Sequence, residues 1–72
     1  MDVNMSYLLD YSGDGQMFSV MYPVTHITID KPLLTISYVQ SNLRIIDRTF
    51  SNGSELIQFL NWLNYNNETV TA

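Results

Sequence analysis

The stretch FSNGSELIQFLNWL, residues 50–63, marks the point where the spacing of apolar residues changes. Asn52 stands three residues before Glu55, which is the spacing of a helix-capping pair, and Ser54 is a rival N-cap. The apolar residues that follow obey the i, i+3, i+4, i+7 rule of an amphipathic helix: Leu56, Phe59, Leu60 and Leu63. The stretch therefore predicts a C-terminal helix with one apolar face.

Two aromatic residues of this helix lie outside the apolar face. On a helical wheel Trp62 falls about 60° from the face and Tyr65 lies nearly opposite it. Both are candidates for a protein interface, where tryptophan and tyrosine are enriched; alternatively, Trp62 folds back over a sheet edge and Tyr65 is simply exposed. Because NYNNETVTA contains poor helix formers, we expect the helix to fray by about Asn67, with a disordered tail at 67–72.

Upstream of residue 50 the pattern is that of β-strands. Five segments have an alternating or continuous apolar character: residues 3–11, 16–24, 25–29, 33–39 and 43–50. Pro23 lacks a backbone donor, so the second strand should end there or lie at a sheet edge, and Lys31-Pro32 indicates a turn between the third and fourth strands. We predict an α+β fold, an antiparallel sheet of four or five strands with one C-terminal helix packed on one face.

Residues 1–72 are predicted to form a single small domain with one thin core. The sheet side of that core is expected to pack against the apolar face of the helix, and its members would be Leu9, Val20, Ile27, Ile29, Leu34, Ile36 and Ile45. One helix covers only one face of a sheet, whereas the second and fifth strands are apolar on both sides. The other face, or an edge strand, is therefore expected to be buried in a homodimer or against a partner.

The segment DYSGDGQ, residues 10–16, begins like a calcium-binding loop, with Asp10, Ser12 and Asp14 at the first, third and fifth positions. The twelfth position, which would have to supply a bidentate carboxylate, is Met21. Asp-Gly between two apolar alternating segments is instead a strong hairpin signal. We interpret the segment as a hairpin turn and predict no metal site.

The sequence contains no recognisable catalytic set. His26 is the only histidine, and Asp30 lies too far along the same extended strand to orient it. With no cysteines, thiol redox chemistry and thiolate metal sites are also excluded. We therefore predict a protein that is not an enzyme and carries no cofactor.

The negative charge is concentrated near the N-terminus. The formal net charge is −4, and the first 30 residues contain Asp2, Asp10, Asp14 and Asp30 but no lysine or arginine. Such a surface repels phosphate backbones and anionic lipids and attracts basic proteins. Together with three aromatic residues these aspartates form the predicted partner-binding set: Asp2, Asp10, Asp14, Asp30, Tyr11, Trp62 and Tyr65.

These features predict a non-catalytic protein-binding module that occupies a basic surface on a larger protein, without direct nucleic-acid or membrane binding. No secretory signal or membrane-spanning apolar run is present, so we expect a cytoplasmic protein. A compact, acidic, cysteine-free chain resembles, in composition only, the small inhibitors that phages and mobile elements encode against host nucleases and defence complexes. The alternatives are a homo-oligomeric structural or assembly subunit and a small-ligand carrier with a pocket between subunits.

Overall fold

The computed structural model describes the backbone of residues 6–71 and the side chains of residues 6–68. This part of the chain has the predicted α+β fold, with antiparallel strands followed by a C-terminal helix. The elements are β1 (Tyr7–Gly13), β2 (Gln16–Tyr22), β3 (Thr25–Asp30), β4 (Thr35–Val39), β5 (Ile45–Thr49) and α1 (Gly53–Thr71). Residues 3–5, where the first strand was predicted to begin, lie outside the described residues.

The strands form two sheets, which refines the prediction of one. β1 pairs with β2, and a second sheet has the order β3-β4-β5. Two side-chain hydrogen bonds link β2 to the second sheet, one at each end of β2. Gln16 Nε2 donates to the carbonyl of Thr49 at 3.0 Å, and the Met21 amide donates to Gln40 Oε1 at 3.0 Å. The division of the strands into two sheets depends on contacts between residues far apart in the sequence, so no local sequence pattern predicts it.

The tip of the β1–β2 hairpin confirms the turn interpretation of DYSGDGQ. Asp14 and Gly15 have φ angles of 55° and 70°, the left-handed conformation that a two-residue type I′ turn requires, and Gly13 pairs with Gln16. The Asp14 carboxylate accepts hydrogen bonds from the Ser51 amide, at 2.8 Å, and from the Ser51 hydroxyl. The tip is thereby fastened to the residue before the helix cap.

The helix begins where the sequence predicts and runs past the predicted end. Asn52 is the N-cap, because its Oδ1 accepts from the Glu55 amide at 2.9 Å and its carbonyl accepts from Leu56 at 3.1 Å. The helical backbone continues beyond the predicted end near Asn67, as far as Thr71. Asn67 Oδ1 accepts from the Val24 amide at 2.8 Å, and this tertiary contact helps to hold a segment of weak helix propensity.

The helix packs across β1, β2 and β4, and aromatic rings fill the space beneath it. The fully buried Phe59 ring lies at the centre, with ring centroids 4.9 Å from Tyr11, 5.2 Å from Phe50 and 5.5 Å from Phe18. The buried core residues are Tyr11, Val20, Tyr22, Val24, Ile36, Tyr38, Phe50, Leu56, Phe59 and Leu63.

The predicted core is partly confirmed. Five predicted residues are buried and four are partly buried against them; these nine are Val20, Ile36, Leu56, Phe59, Leu63, Leu9, Ile27, Leu34 and Leu60. Ile29 and Ile45 were predicted wrongly, since both are exposed. Ile29 lies on β3, an edge strand that the helix does not cover, and Ile45 alternates with the inward-pointing Ile46.

Candidate interaction surface

The strands present a second face that points away from the helix. Because alternate strand residues point to opposite sides, the neighbours of the buried Tyr11, Val20 and Tyr38 lie on this face. We call it the outer face, and none of its side chains is buried. Its residues are Leu8, Asp10, Ser12, Met17, Ser19, Met21, Thr25, Thr28, Asp30, Thr35, Ser37, Val39, Ile45, Asp47 and Thr49.

A cluster of apolar side chains occupies one end of the outer face, while the exposed Met17 lies at the opposite end, beside the hairpin tip. Leu8 pairs with Met21, and Ile45 pairs with Val39. The Ser41 amide donates to the Met21 carbonyl at 3.3 Å, which brings the β4–β5 loop beside this end of β2. We call these four residues, together with the loop residue that precedes β5, the apolar row: Leu8, Met21, Val39, Leu43 and Ile45.

Leu43 has an unfavourable local conformation for its residue type. Its φ angle is 70°, in the left-handed region that glycine and asparagine adopt readily and leucine adopts rarely. The hydrogen bonds Leu43 N to Gln40 O, at 2.8 Å, and Gln40 N to Arg44 O, at 2.9 Å, show a turn followed by a bulge, where glycine is usual. The side chains of Leu8, Leu43 and Ile45 are 61%, 83% and 74% exposed, so Leu43 gains little burial in return.

Carboxylates lie next to the apolar row. Asp10 on β1 accepts from the Ser19 hydroxyl at 2.6 Å, and Asp47 on β5 accepts from the Ser37 hydroxyl at 2.5 Å. Each aspartate lies two residues along its own strand from a member of the apolar row, Asp10 from Leu8 and Asp47 from Ile45. The hydrogen bond between Gln16 and Thr49 links the two sheets. We call Asp10, Ser19, Ser37 and Asp47 the acidic row.

Positive charge is absent from the outer face as the structure describes it. Asp30, at the far end of β3, adds a third carboxylate to that face opposite Thr35. Arg48 points inward, with its guanidinium carbon 3.8 Å from the centre of the Phe18 ring. Lys31 lies in the turn after β3, and Arg44 lies in the loop before β5. The strand residues of the face therefore carry three negative charges and no cation; the nearest cations along the chain are Lys31, which follows Asp30, and Arg44, which precedes Ile45.

The predicted acidic residues are only partly brought together. Asp10 and Asp30 share the outer face, whereas hydrogen bonds from the Ser51 side chain and backbone turn Asp14 toward the helix start and lower the pKa of its carboxyl. Asp2 lies outside the described residues. Asp47 was missed, because along the sequence it is balanced by Arg48; the alternation of the strand separates the two onto opposite faces.

The three predicted aromatic contact residues have different surroundings, and none of them lies on the outer face. Tyr11 is buried in the core. Trp62 is half-buried, with its ring 4.9 Å from Tyr11 and 5.8 Å from Tyr22. Tyr65 is 69% exposed on the helix. These positions favour packing roles for Tyr11 and Trp62 and leave Tyr65 as the surface residue of the three.

Three buried tyrosine hydroxyls have no hydrogen-bond partner among the described residues: those of Tyr11, Tyr22 and Tyr38. The side chains of Gln58, Asn66 and Arg48 lie near them. Burial raises the pKa of all three hydroxyls. A high pKa keeps a hydroxyl protonated, so these groups are poor nucleophiles at neutral pH.

The described residues do not assemble a set of chemically reactive or metal-ligating groups. The exposed His26 ring lies 3.1 Å from the Thr25 hydroxyl, and no three histidine, aspartate or glutamate side chains in the described part of the chain converge on a point. An open depression of about 320 Å³ on the hairpin is lined by Asp10, Tyr11, Ser12, Met17, Phe18 and Ser19.

The chain matches no known family model, no curated protein and no solved structure. Within the residues that the structure describes, no helix has the length and apolar content needed to cross a bilayer.

Proposed function

We propose that this protein is a non-catalytic binding protein whose outer face occupies a basic surface on a larger protein. One observation carries the proposal: the helix leaves a whole sheet face uncovered, and that face combines exposed apolar side chains with aspartates and has no cation among its described residues. Apolar contact supplies affinity, and complementary charge supplies orientation and a fast encounter.

The partner's basic surface suggests the biological setting. Proteins that handle nucleic acids carry basic grooves, and a small acidic protein seated in such a groove blocks access to it. This agrees with the composition shared with small phage and mobile-element inhibitors of host nucleases and defence complexes. A protein that inhibits by occupying such a groove needs no reactive group of its own.

A homo-oligomeric subunit is the second candidate, favoured by the exposed Leu8, Leu43 and Ile45. Two copies that met through their outer faces would bring six aspartates together, three from each copy. Like charges at close range oppose such a contact. A homodimer is therefore better accommodated through another surface, such as the uncovered β3 edge.

The experiment has two steps. Tagged protein is used to capture its partner from lysate of the native host, and the association rate with the purified partner is then measured across salt concentrations. The double variant Asp10→Asn/Asp47→Asn should bind more slowly and show a shallower salt dependence. The single variant Asp10→Asn should also bind more slowly, and Asp14→Asn is its matched control, because it removes the same single charge from a residue off the outer face and asparagine tolerates the left-handed turn.

An unchanged rate and salt dependence in the double variant would contradict the proposal. Solution mass by light scattering separates the second candidate. A concentration-independent dimer that the partner does not dissociate would favour the homo-oligomeric subunit.

A further inference from the structure

We infer that the outer face takes a basic amphipathic helix of its partner, laid across the strands with its apolar side on the apolar row and its lysine or arginine side chains over the acidic row. The inference rests on the proposed function and names the partner element. It follows from the way in which the two kinds of side chain are separated on the face.

The two rows run side by side across the strands. Leu8 and Asp10 are separated by one residue of β1, and Ile45 and Asp47 by one residue of β5. Same-face neighbours on a strand are about 7 Å apart. The partner therefore needs an apolar line and a cationic line about 7 Å apart, which are adjacent stripes on one helix.

The length of the rows fits a helix rather than a single side chain. The apolar row extends over β1, β2, β5 and β4, and adjacent paired strands lie about 4.8 Å apart. Four strands cover about 14 Å even without the split between β2 and β5. A helix rises about 1.5 Å per residue, so ten residues or more would cover this distance.

A second copy of this chain cannot supply such a helix. α1 contains no lysine or arginine, and its acidic residues are Glu55 and Glu68. The chain's cations are elsewhere, at Lys31, Arg44 and Arg48. Charge complementarity therefore selects a different protein as the source of the helix.

Leu43 extends the apolar row beyond the strands. It holds an exposed leucine in a backbone conformation that favours glycine or asparagine, which is unfavourable for folding. Intramolecular packing does not offset that cost, because the side chain is 83% exposed. Contact with an apolar stripe of the partner supplies the missing burial.

The test uses synthetic peptides and NMR spectra of the ¹⁵N-labelled protein. Three 18-residue peptides of equal positive charge are compared: leucine and lysine in helical periodicity, the same composition in scrambled order, and lysine with glutamine in place of leucine. The helical peptide should bind at least tenfold more tightly than the other two. Its amide shifts should map to Leu8, Asp10, Leu43, Ile45 and Asp47.

Two variants locate the apolar contact. Leu43→Asn/Ile45→Thr keeps residues suited to the turn and the strand, and it should reduce the affinity for the helical peptide to that for the scrambled one. Ile57→Gln removes a half-exposed apolar group from the helix surface and should leave the affinity unchanged. Urea unfolding of each variant confirms that it is folded.

The outcomes separate this inference from the function on which it rests. If all three peptides bind equally at the outer face, or if Leu43→Asn/Ile45→Thr binds the helical peptide as well as the wild type, the amphipathic helix is overturned and a basic partner is retained. If none of the peptides shifts outer-face amides at low salt, both proposals fail.

Discussion

The two faces of the same strands differ in almost every property. Toward the helix, Tyr11, Tyr22 and Tyr38 pack around Phe59 and Trp62 with their hydroxyls unmatched. Away from it, Asp10 and Asp47 accept from serine hydroxyls beside exposed apolar groups. Because consecutive strand residues alternate sides, the residues that pack in the core and those of the proposed contact surface occupy neighbouring positions. Substitutions at adjacent residues should therefore have separable effects.

The largest expected effect is on the side of the strands that faces the helix, which we call the inner face, where Phe59 of α1 packs. Phe59→Ala removes a fully buried ring that contacts aromatic side chains from both sheets, and it should lower the free energy of unfolding by about 3–5 kcal/mol. A domain of this size has only about 4–11 kcal/mol in total. Urea unfolding followed by circular dichroism measures the loss.

Ile45→Thr is the outer-face control for this prediction. It changes an exposed strand residue and should alter stability by no more than about 0.5 kcal/mol. Similar losses in both variants would mean that the outer face also belongs to the core, and the contrast between the faces would fail.

The pair Trp62 and Tyr65 tests the boundary between core and surface on the helix. Trp62→Ala should cost about 2–3 kcal/mol, because the half-buried ring packs against Tyr11 and Tyr22. Tyr65→Ala should stay within about 0.5 kcal/mol, since the side chain is largely exposed. Differential scanning calorimetry compares the two. If Trp62→Ala leaves the stability unchanged, Trp62 is not a core residue and is retained as a candidate contact residue.

Alkaline pH should lower the free energy of unfolding through the buried tyrosines of the inner face. Burial raises the pKa of Tyr22 and Tyr38 above the ordinary 10.0, so the folded state holds these protons more tightly than the unfolded state. Stability should be independent of both groups below about pH 10 and should fall as the pH rises above it. Urea midpoints between pH 8 and 11.5 test this.

Tyr22→Phe identifies the source of the alkaline loss. The variant should lose part of the pH dependence and, because the hydroxyl has no hydrogen-bond partner, should be near the wild type in stability at pH 8. Tyr65→Phe serves as the exposed control. If Tyr22→Phe keeps the full alkaline loss, burial of the Tyr22 hydroxyl is not its cause.

The smallest effect is a gain in stability on the outer side. Leu43→Gly relieves a leucine at φ 70° and should stabilise the protein by about 0.5–1 kcal/mol. Leu34→Gly is the matched comparison: Leu34 has a φ of 52° but is partly buried against the core, so lost packing should cancel the gain. The thermal unfolding midpoints of the two variants and of the wild type measure these changes. A destabilised Leu43→Gly would show that Leu43 contributes intramolecular packing.

Much of the fold could be predicted because its signals are local. The helix start at Asn52 and the hairpin at Asp14-Gly15 depend on backbone preferences and hydrogen bonds within a few residues. Strand identity likewise follows from alternation along short segments. The helix end was not predictable in this way, because the tertiary contact of Asn67 with Val24 helps to hold a segment of weak local helix propensity.

Of the candidate surface, the sequence indicated the acidic character and two of the aspartates on the outer face, Asp10 and Asp30. It did not indicate Asp47, because a charge count along the chain cannot separate Asp47 from Arg48. It also placed Tyr11 among contact residues, since an amphipathic tyrosine is compatible with either face of a strand.

The sequence by itself determined five strands, a capped amphipathic helix, a tight hairpin and an acidic, cysteine-free chain, since each depends on residues close together. Only the tertiary structure decided that the strands divide into two sheets, that tyrosines rather than Ile29 and Ile45 fill the core, and that Asp10 and Asp47 align beside an apolar row. The physical reason is that a strand's alternation defines two faces, and contacts between distant residues select which one the helix covers.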